Sequence, residues 1–234
     1  MPKFISSFFP SKISDIERAD LSVFSAVDMV EWRADALPPE QIMKAAPIFF
    51  EKFKDIPVLF TLRTVEEGGN FDQPELIYTY ILRRILSEFT PDFVDVEAVS
   101  KPAVLEELTE FMPKLWLSYH NFQEIPENLV TMIADLAENK PAAVKVAVLP
   151  KTKAELWQLL QTAEIFRESF ETPLIAIAMG KMGRISRLVD SPWTFVALGH
   201  PPLFGQFTLS DCKQILDILA ADDTAVEAGE DAAD

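Results

Sequence analysis

The sequence predicts a single α/β domain, an eight-stranded (β/α)8 barrel of the TIM type. Eight short runs of apolar, β-branched or aromatic residues recur along the 234-residue chain, and segments with helical spacing separate them. Strands that alternate with helices pair in parallel, and eight repeats fit a closed barrel better than an open sheet, which usually has fewer strands. With 49% hydrophobic residues, a chain of this length can bury the core of one such domain.

The predicted elements follow one another in a regular β then α order. The eight strands are expected at Lys3–Phe8, Met29–Asp35, Val58–Arg63, Phe93–Ala98, Leu115–His120, Ala143–Val148, Leu174–Met179 and Trp193–Leu198. Helical segments, several with a proline near the first turn, are expected at Ser14–Ala26, Pro39–Lys54, Pro74–Phe89, Pro102–Met112, Pro126–Asn139 and Thr152–Phe170. The barrel is expected to fill residues 1–220, and the acidic residues 221–234 are predicted to form a disordered tail.

Composition narrows the class of protein. The main alternative fold is an open, doubly wound sheet, but no Gly-x-Gly-x-x-Gly follows the first strand and the chain has only seven glycines. A formal net charge of -16 repels phosphate backbones and anionic lipid surfaces, so we expect neither nucleic acid nor a membrane as partner. With one cysteine, Cys212, the chain can form no internal disulfide, and two histidines make a zinc site unfavourable.

The start of the chain and the lengths of its apolar runs predict a cytoplasmic protein. The first ten residues show no basic segment followed by a long apolar stretch and a small-residue cleavage site. Each apolar run is far shorter than the ~20 residues that a membrane-spanning helix needs.

Charged residues stand on the predicted strands where a core is expected. Inward positions of barrel strands are normally branched apolar residues. Glu31 and Arg33 are two apart on one strand, as are Asp95 and Glu97 on another, and Arg63 ends the third strand. Either these charges form a neutralising ion-pair network or an exposed rim, or they belong to an active site, which in this fold lies at the C-terminal ends of the strands. Both interpretations stay open at this point.

Two further residues favour catalysis over structure. Lys145 lies inside the apolar run Ala143–Val148, and lysine is almost never fully buried without a partner. Desolvation favours the neutral amine, which is the form of lysine that attacks a carbonyl carbon. His120 ends the fifth strand, on the side of the barrel where catalytic residues lie.

Seven strings that carry these residues resemble, in order, those of type I 3-dehydroquinate dehydratases. The strings are EWRAD at 31–35, TLRTVEEGG at 61–69, VDVE at 94–97, LSYHNF at 117–122, VKVAV at 144–148, MGKMGRISRL at 179–188, and SPWTF at 191–195 followed by FGQF at 204–207. The resemblance covers residues 3 to about 219. It implies a lyase of the shikimate pathway that removes water from 3-dehydroquinate by syn elimination, with no metal or organic cofactor, and that forms a homodimer.

The resemblance also implies a role for each matching residue. Lys145 corresponds to the lysine that forms a Schiff base, His120 to the general acid and base, and Glu67 to the carboxylate that orients the imidazole. Arg187 corresponds to the residue that binds the substrate carboxylate, and Gln206 to a ligand from the loop after the eighth strand. The residues that correspond to contacts of the ring hydroxyls are Glu31, Arg33 and Arg63, and positions near the site are matched by Asp95 and Phe195.

One string departs from the pattern of the family. The usual lid sequence is Ser-Ala-Pro-Gly-Gln, whereas residues 202–206 read Pro-Leu-Phe-Gly-Gln, so Pro202 replaces a hydroxyl donor. The loss of one buried donor costs about 1–3 kcal/mol, which predicts a higher KM with the chemistry retained.

Two other functions share parts of this pattern. A Schiff-base aldolase also places a lysine on the sixth strand of a barrel, and a non-catalytic barrel that binds a cyclohexane carboxylate would keep the same pocket. The dehydration itself serves both aromatic amino acid biosynthesis and quinate breakdown, and both roles stay open.

Overall fold

The computed structural model describes residues 2–188, 191–198 and 205–230, with side chains as far as residue 220. Eight parallel strands follow one another in space in the order of the barrel: β1 (Lys3–Phe8), β2 (Met29–Arg33), β3 (Val58–Thr61), β4 (Phe93–Val96), β5 (Leu115–Asn121), β6 (Ala143–Val148), β7 (Leu174–Ala178) and β8 (Trp193–Ala197). Each pairs with the next from β1 to β7, and β8 pairs with β1. On its other edge, β8 pairs with the short β9 (Phe207–Thr208).

Helices connect the strands and cover the outside of the barrel. They are α1 (Ile13–Glu17), α2 (Pro39–Lys52), α3 (Glu75–Glu88), α4 (Pro102–Glu107), α5 (Leu129–Glu138), α6 (Lys153–Ser169) and α7 (Leu209–Glu230). In the part of the chain that the structure describes, five short 3-10 helices complete the connections, at Leu21–Ala26, Ala34–Ala36, Val65–Glu67, Thr109–Lys114 and Met182–Arg187. None of the helices described is both long and apolar enough to cross a membrane.

Most apolar side chains of the strands belong to two clusters, and Phe4 and Val196 belong to a third together with residues of α7. Outward residues such as Trp32, Phe60 and Val146 pack under the helices, in the larger cluster. Inward residues fill the lower half of the barrel and include Ile5, Met29, Leu59, Trp116 and Ile175. Because side chains alternate along a strand, the next inward residue after each of these lies two positions closer to the C-terminal end.

That step of two residues leads from an apolar to a polar inward side chain on six of the eight strands. Ile5 is followed inward by Ser7, Met29 by Glu31, Leu59 by Thr61, and Trp116 by Ser118, all buried. On β4 and β6 the corresponding buried polar residues are Asp95 and Lys145. The C-terminal half of the barrel therefore contains a layer of buried polar residues, and the N-terminal half is filled by the apolar residues that precede them.

The predicted strands agree with the structure at every start, and six of them end earlier or later than expected. β2, β3, β4, β7 and β8 are shorter by one or two residues, and β5 extends to Asn121. The predicted helices at 14–26 and 102–112 are each divided into an α-helix and a 3-10 helix. β9 was not predicted, and α7 continues to Glu230, into the region assigned to the tail. The domain division at residue 220 stays a prediction, and residues 231–234 lie outside the described part.

Candidate active site

One cavity of about 260 Å³ opens at the C-terminal ends of the strands. All eight residues that the sequence analysis placed in the site line it: Glu31, Arg33, Arg63, Glu67, His120, Lys145, Arg187 and Gln206. They come from β2, β5 and β6, from the segments that follow β3 and β7, and from the segment before β9. The fold therefore brings together residues that are up to 175 positions apart in the chain.

Lys145 occupies the inner face of β6 and is 4% exposed. Its neighbours Val144 and Val146 point outward into the packing under the helices, so the lysine points into the barrel. The Nζ atom donates to Oδ2 of Asp95 at 3.2 Å and lies 3.9 Å from Oε1 of Glu31. The ring of Phe195 lies below the amine, with its centroid 4.4 Å from Nζ.

Arg63 joins several buried carboxylates. Its Nη2 donates to Oδ1 of Asp95 at 2.6 Å, and its Nη1 lies 3.1 Å from Glu97 and 3.3 Å from Glu67. Nη1 also donates to Ser118 Oγ at 3.1 Å. Burial works to lower the pKa of Arg63, but the three carboxylates hold it above its ordinary value. The ion-pair network that the sequence left open therefore exists, and it is part of the wall of the cavity.

Glu67 and His120 form a pair beside this network. Oε2 of Glu67 lies 2.9 Å from Nδ1 of His120 and accepts the backbone N–H of the same histidine at 3.1 Å. Burial first, and then the nearby cations Arg63, Lys145 and Arg33, hold the pKa of His120 well below its usual range. Burial also raises the pKa of Glu67 to about 7, against the attraction of Arg63. A neutral imidazole with Nδ1 bound to Glu67 leaves Nε2 as the nitrogen for a ligand in the cavity.

The segment that carries Glu67 is held by backbone packing as well as by charge. Phe71 donates its N–H to the carbonyl of Arg63 at 3.1 Å, and Gly69 donates to the carbonyl of Thr64 at 2.7 Å. A Cβ atom at Gly69 would lie 2.1 Å from the carbonyl oxygen of Arg63, so only glycine fits there. Thr64 is fixed in turn, because its N–H donates to Glu97 at 2.8 Å.

Glu31 and Arg33 form the opposite side of the cavity. Oε1 of Glu31 accepts from the hydroxyl of Thr61 at 2.9 Å, and its other oxygen accepts from Ser7. Arg33 makes two hydrogen bonds to Asp35, at 2.8 and 2.9 Å. Such a bidentate pair fixes the plane of the guanidinium group. Both side chains are therefore oriented before any ligand binds.

Arg187 and Gln206 close the cavity on the side of β7 and β8. Arg187 ends the 3-10 helix at Met182–Arg187 and is buried, which lowers the pKa of its guanidinium to about 10. This short helix is held to β7 because Ser186 accepts the N–H of Ala178 at 2.9 Å. The carbonyl of Gln206 accepts from Arg184 at 3.2 Å. The lid residues Pro202, Leu203 and Phe204 lie outside the described residues.

Sequence reasoning did not find every residue of the site. Ser7, Asn70 and Phe9 also line the cavity, and Ser118 binds Asp95 at 2.7 Å. Ser7 carries a signal in the sequence, because it lies two positions after the inward Ile5. Asn70 carries none, since it reaches Asp35 only through the fold of the loop after β3.

Comparisons with known proteins agree with this geometry. A model of the type I 3-dehydroquinase family matches residues 4–223. The 3-dehydroquinate dehydratase of Streptococcus pyogenes serotype M5 (strain Manfredo) is 37% identical over 225 residues, 94% of this chain and 98% of the relative. The crystal structure of 3-dehydroquinate dehydratase from Geobacillus kaustophilus HTA426 is similar with a TM-score of 0.83 and 26% identity, over 94% of this chain and 92% of that one.

A second solved structure has the same relation to this chain. The type I 3-dehydroquinate dehydratase from Clostridium difficile, crystallised with covalently modified comenic acid, has a TM-score of 0.82 and 26% identity, over 94% of this chain and 93% of that one. The family match and the similarity to the streptococcal relative each extend over nearly the whole chain. The chain belongs to the type I 3-dehydroquinase family.

Proposed function

We propose that this chain removes water from 3-dehydroquinate to give 3-dehydroshikimate, through an imine on Lys145. The family supports the reaction, and one observation supports the assignment of the residue. The amine of Lys145 is buried in a cavity that also contains an imidazole, a carboxylate partner for that imidazole and a buried arginine for a ligand carboxylate. Side chains in this cavity and directly beside it can supply each step, and the proposal needs no metal or organic cofactor.

The first step is the attack of Lys145 on the ketone at C3. The amine must lose a proton to become nucleophilic, and Asp95 is placed to accept it, with Oδ2 at 3.2 Å from Nζ. Although burial works to raise the pKa of Asp95, Arg63 and Lys145 hold it below its ordinary value, so this carboxylate is ionised before the reaction. Loss of water from the adduct gives a protonated imine, which withdraws electrons from C2.

The second step is the elimination, which we assign to His120. Glu67 holds Nδ1 of the imidazole, so Nε2 is the atom that takes the proton from C2. The electron pair of the broken C–H bond forms an enamine, and the imidazolium then gives its proton to the hydroxyl leaving C1. One imidazole acting on both atoms requires that the proton and the hydroxyl leave from the same face, which is a syn elimination. Hydrolysis of the imine releases the product.

The remaining residues orient the substrate ring. Arg187 is assigned to the carboxylate, because a planar guanidinium makes two parallel hydrogen bonds to it. Glu31, Arg33 and Gln206 are assigned to the ring hydroxyls, because they line the same cavity and carry polar groups that can bind a hydroxyl. Arg63 also lines the cavity, but it makes hydrogen bonds to four buried groups. We therefore assign its main role to holding the carboxylates that serve Lys145 and His120.

Borohydride trapping tests the proposal. The protein is incubated with 3-dehydroquinate, reduced, digested and analysed by mass spectrometry for a ligand-sized increment on the peptide that contains Lys145. We expect the increment in the native protein and in His120→Ala, which forms the imine but stalls at elimination, and no increment in Lys145→Met. Turnover by native protein without an increment, or near-normal turnover by His120→Ala, would overturn the assignment. A folded native protein that binds the substrate without increment or product would instead be a non-catalytic binding barrel.

We further propose that the enzyme acts as a homodimer in the cytoplasm. The outer face of α6 supports association, because Trp157 and Ile165 are both 63% exposed there, and large apolar side chains on one face favour contact with a partner. The single cysteine, Cys212, is buried, so it is not placed to form a disulfide between the subunits of the dimer. Sedimentation at equilibrium tests the dimer, and Trp157→Lys is expected to shift it to monomer.

A further inference from the structure

A second cavity, of about 300 Å³, shares three wall residues with the substrate cavity, namely Glu67, His120 and Phe122. Ser100 and Tyr119 are among the residues that line only this second space, which we call the rear cavity. The Glu67–His120 pair thus has the substrate cavity on one side and the rear cavity on the other. Whatever holds Glu67 on the side of the rear cavity can act on the imidazole without touching the substrate.

Ser100 is the residue that contacts Glu67 there. It lies in the loop between β4 and α4, is exposed, and donates its hydroxyl hydrogen to Oε1 of Glu67. The other carboxylate oxygen, Oε2, accepts three hydrogen bonds, two from His120 and one from Arg63. Within the described part of the chain, Ser100 is the one donor to Oε1. The two oxygens of Glu67 are therefore held by different parts of the protein.

We propose that Ser100 is a positioning residue for the dehydration, which keeps Glu67 ionised and turned so that Oε2 faces Nδ1 of His120. This inference rests on the proposed function, in which Nε2 of His120 is the base. A hydrogen bond to an ionised carboxylate favours the ionised form. An ionised Glu67 accepts the Nδ1–H and leaves Nε2 unprotonated, whereas a protonated Glu67 can donate to Nδ1 and leave the hydrogen on Nε2.

The charges around Glu67 explain why one more hydrogen bond has an effect. Arg63 favours the ionised form of Glu67, whereas Asp95 and Glu97 disfavour it. His120 is neutral and adds no charge. Burial is the largest influence and raises the pKa of Glu67 to about 7, with the Ser100 hydroxyl and Arg63 acting in the opposite direction. Near neutral pH the carboxyl is thus divided between its two forms, so a small change in its surroundings changes the population of the active one.

The loop that carries Ser100 is also held by contacts of Lys101. The position of this loop can therefore be tested separately from the hydrogen bond of Ser100 to Glu67. Lys101 donates its N–H to the carbonyl of Glu97 at 3.0 Å, and its Nζ pairs with Glu66 at 2.9 Å. Neither contact involves the carboxylate of Glu67. A variant of Lys101 therefore loosens the same loop without removing a donor to Glu67, and it serves as the matched control.

The experiment compares Ser100→Ala, Ser100→Thr and Lys101→Met through the pH profile of kcat/KM. In Ser100→Ala we expect Glu67 to stay protonated to higher pH. The acidic limb of the kcat/KM profile then moves to higher pH. We expect kcat/KM to fall about tenfold at pH 6, which is the effect of one hydrogen bond to a charged group, and to change little at pH 9. Ser100→Thr keeps the hydroxyl and should keep the native profile, and Lys101→Met should keep the position of the limb. Thermal unfolding establishes that each variant is folded.

A second readout follows the imidazole directly. The chain has two histidines, so nitrogen NMR of protein labelled in histidine, assigned with His200→Asn, reports the tautomer of His120. At pH 8 we expect the hydrogen on Nδ1 in most of the native protein, and a larger share of it on Nε2 in Ser100→Ala at the same pH. A Ser100→Ala profile that superimposes on the native one, a Ser100→Thr variant as defective as Ser100→Ala, or the same limb shift in Lys101→Met would each overturn the inference. Borohydride trapping on Lys145 at pH 8 should succeed in both Ser100→Ala and native protein, and its absence from the native protein would count against the proposed function instead.

Discussion

The Nη2 atom of Arg63 lies 2.6 Å from Oδ1 of Asp95, and the second oxygen of the same carboxylate lies 3.2 Å from Nζ of Lys145. The other terminal nitrogen of Arg63 reaches Glu67, which holds His120. One guanidinium group therefore contacts the acidic partners of Lys145 and His120, the two side chains to which we assign the reaction.

Replacing Arg63 by methionine should destabilise the fold strongly. Three buried carboxylates, Asp95, Glu97 and Glu67, would lose their shared cation, and breaking buried ion pairs costs about 3–5 kcal/mol. Urea unfolding measures this free energy. The exposed pair of Arg84 with Glu88 is a suitable control, since Arg84→Met should change stability little. Equal effects of the two substitutions would contradict the role assigned to Arg63.

Asp95→Asn should slow the formation of the imine. Asparagine keeps the shape of the side chain, but it cannot take the proton of Lys145, and the loss of a positioned general base lowers a rate by about 100-fold. Rapid mixing with 3-dehydroquinate followed by borohydride measures how fast the Lys145 adduct accumulates. If the adduct forms at the native rate while turnover falls, Asp95 acts after the imine rather than before it.

Much of the fold follows from the sequence because the signals are local. Each strand starts where an apolar run starts, and all eight starts were predicted correctly. Strand ends are less visible, because the predicted ends of β2 and β3, Asp35 and Arg63, are buried polar residues that lie beyond the observed strands. β9 had no signal, since two residues form a strand only when the edge of β8 is there to pair with them.

The site was predictable to the extent that its chemistry is unusual for a core. A lysine inside an apolar run and charges two residues apart on strands indicated the cavity residues on β2 and β6, and resemblance added Glu67 and Gln206. The supporting contacts were not predictable. Ser100 reaches Glu67 only because of the way the loop between β4 and α4 folds. In the sequence, nothing distinguishes this exposed serine from any other loop residue.

Gly69→Ala should disable the enzyme through backbone displacement. The added Cβ would lie 2.1 Å from the carbonyl oxygen of Arg63, so the segment that carries Glu67 must move away from His120. A displacement of about 1 Å in a catalytic group costs on the order of 100-fold in kcat/KM. Gly180→Ala is the matched control, because among the described residues its Cβ would meet Leu149 alone, at 3.4 Å, although its φ of 80° is strained. Similar losses in both variants would contradict a specific effect through the segment of Glu67.

The acidic limb of kcat/KM for the native enzyme should lie near the pKa of Glu67, which burial raises to about 7. As the pH falls through this value, Glu67 takes up a proton and no longer holds the Nδ1–H of His120, so the base at Nε2 is lost. Glu67→Gln cannot ionise, so its profile should be flat from pH 6 to 8, at a level about tenfold or more below the native plateau. A Glu67→Gln variant with the native limb would assign that limb to another group.

Arg187→Lys should weaken substrate binding more than the chemical steps. A lysine keeps the charge but offers a single ammonium in place of two parallel N–H donors, so the ring of the substrate loses one constraint on its orientation. We expect KM to rise about tenfold, the equivalent of roughly one hydrogen bond to a charged group, with a smaller change in kcat. Lys181→Met removes a cation from an exposed position of the same segment, away from the cavity lining, and should leave KM unchanged. Steady-state kinetics with 3-dehydroquinate separate the two parameters. A fall in kcat with an unchanged KM in Arg187→Lys would mean that the arginine acts on the transition state rather than on the bound carboxylate.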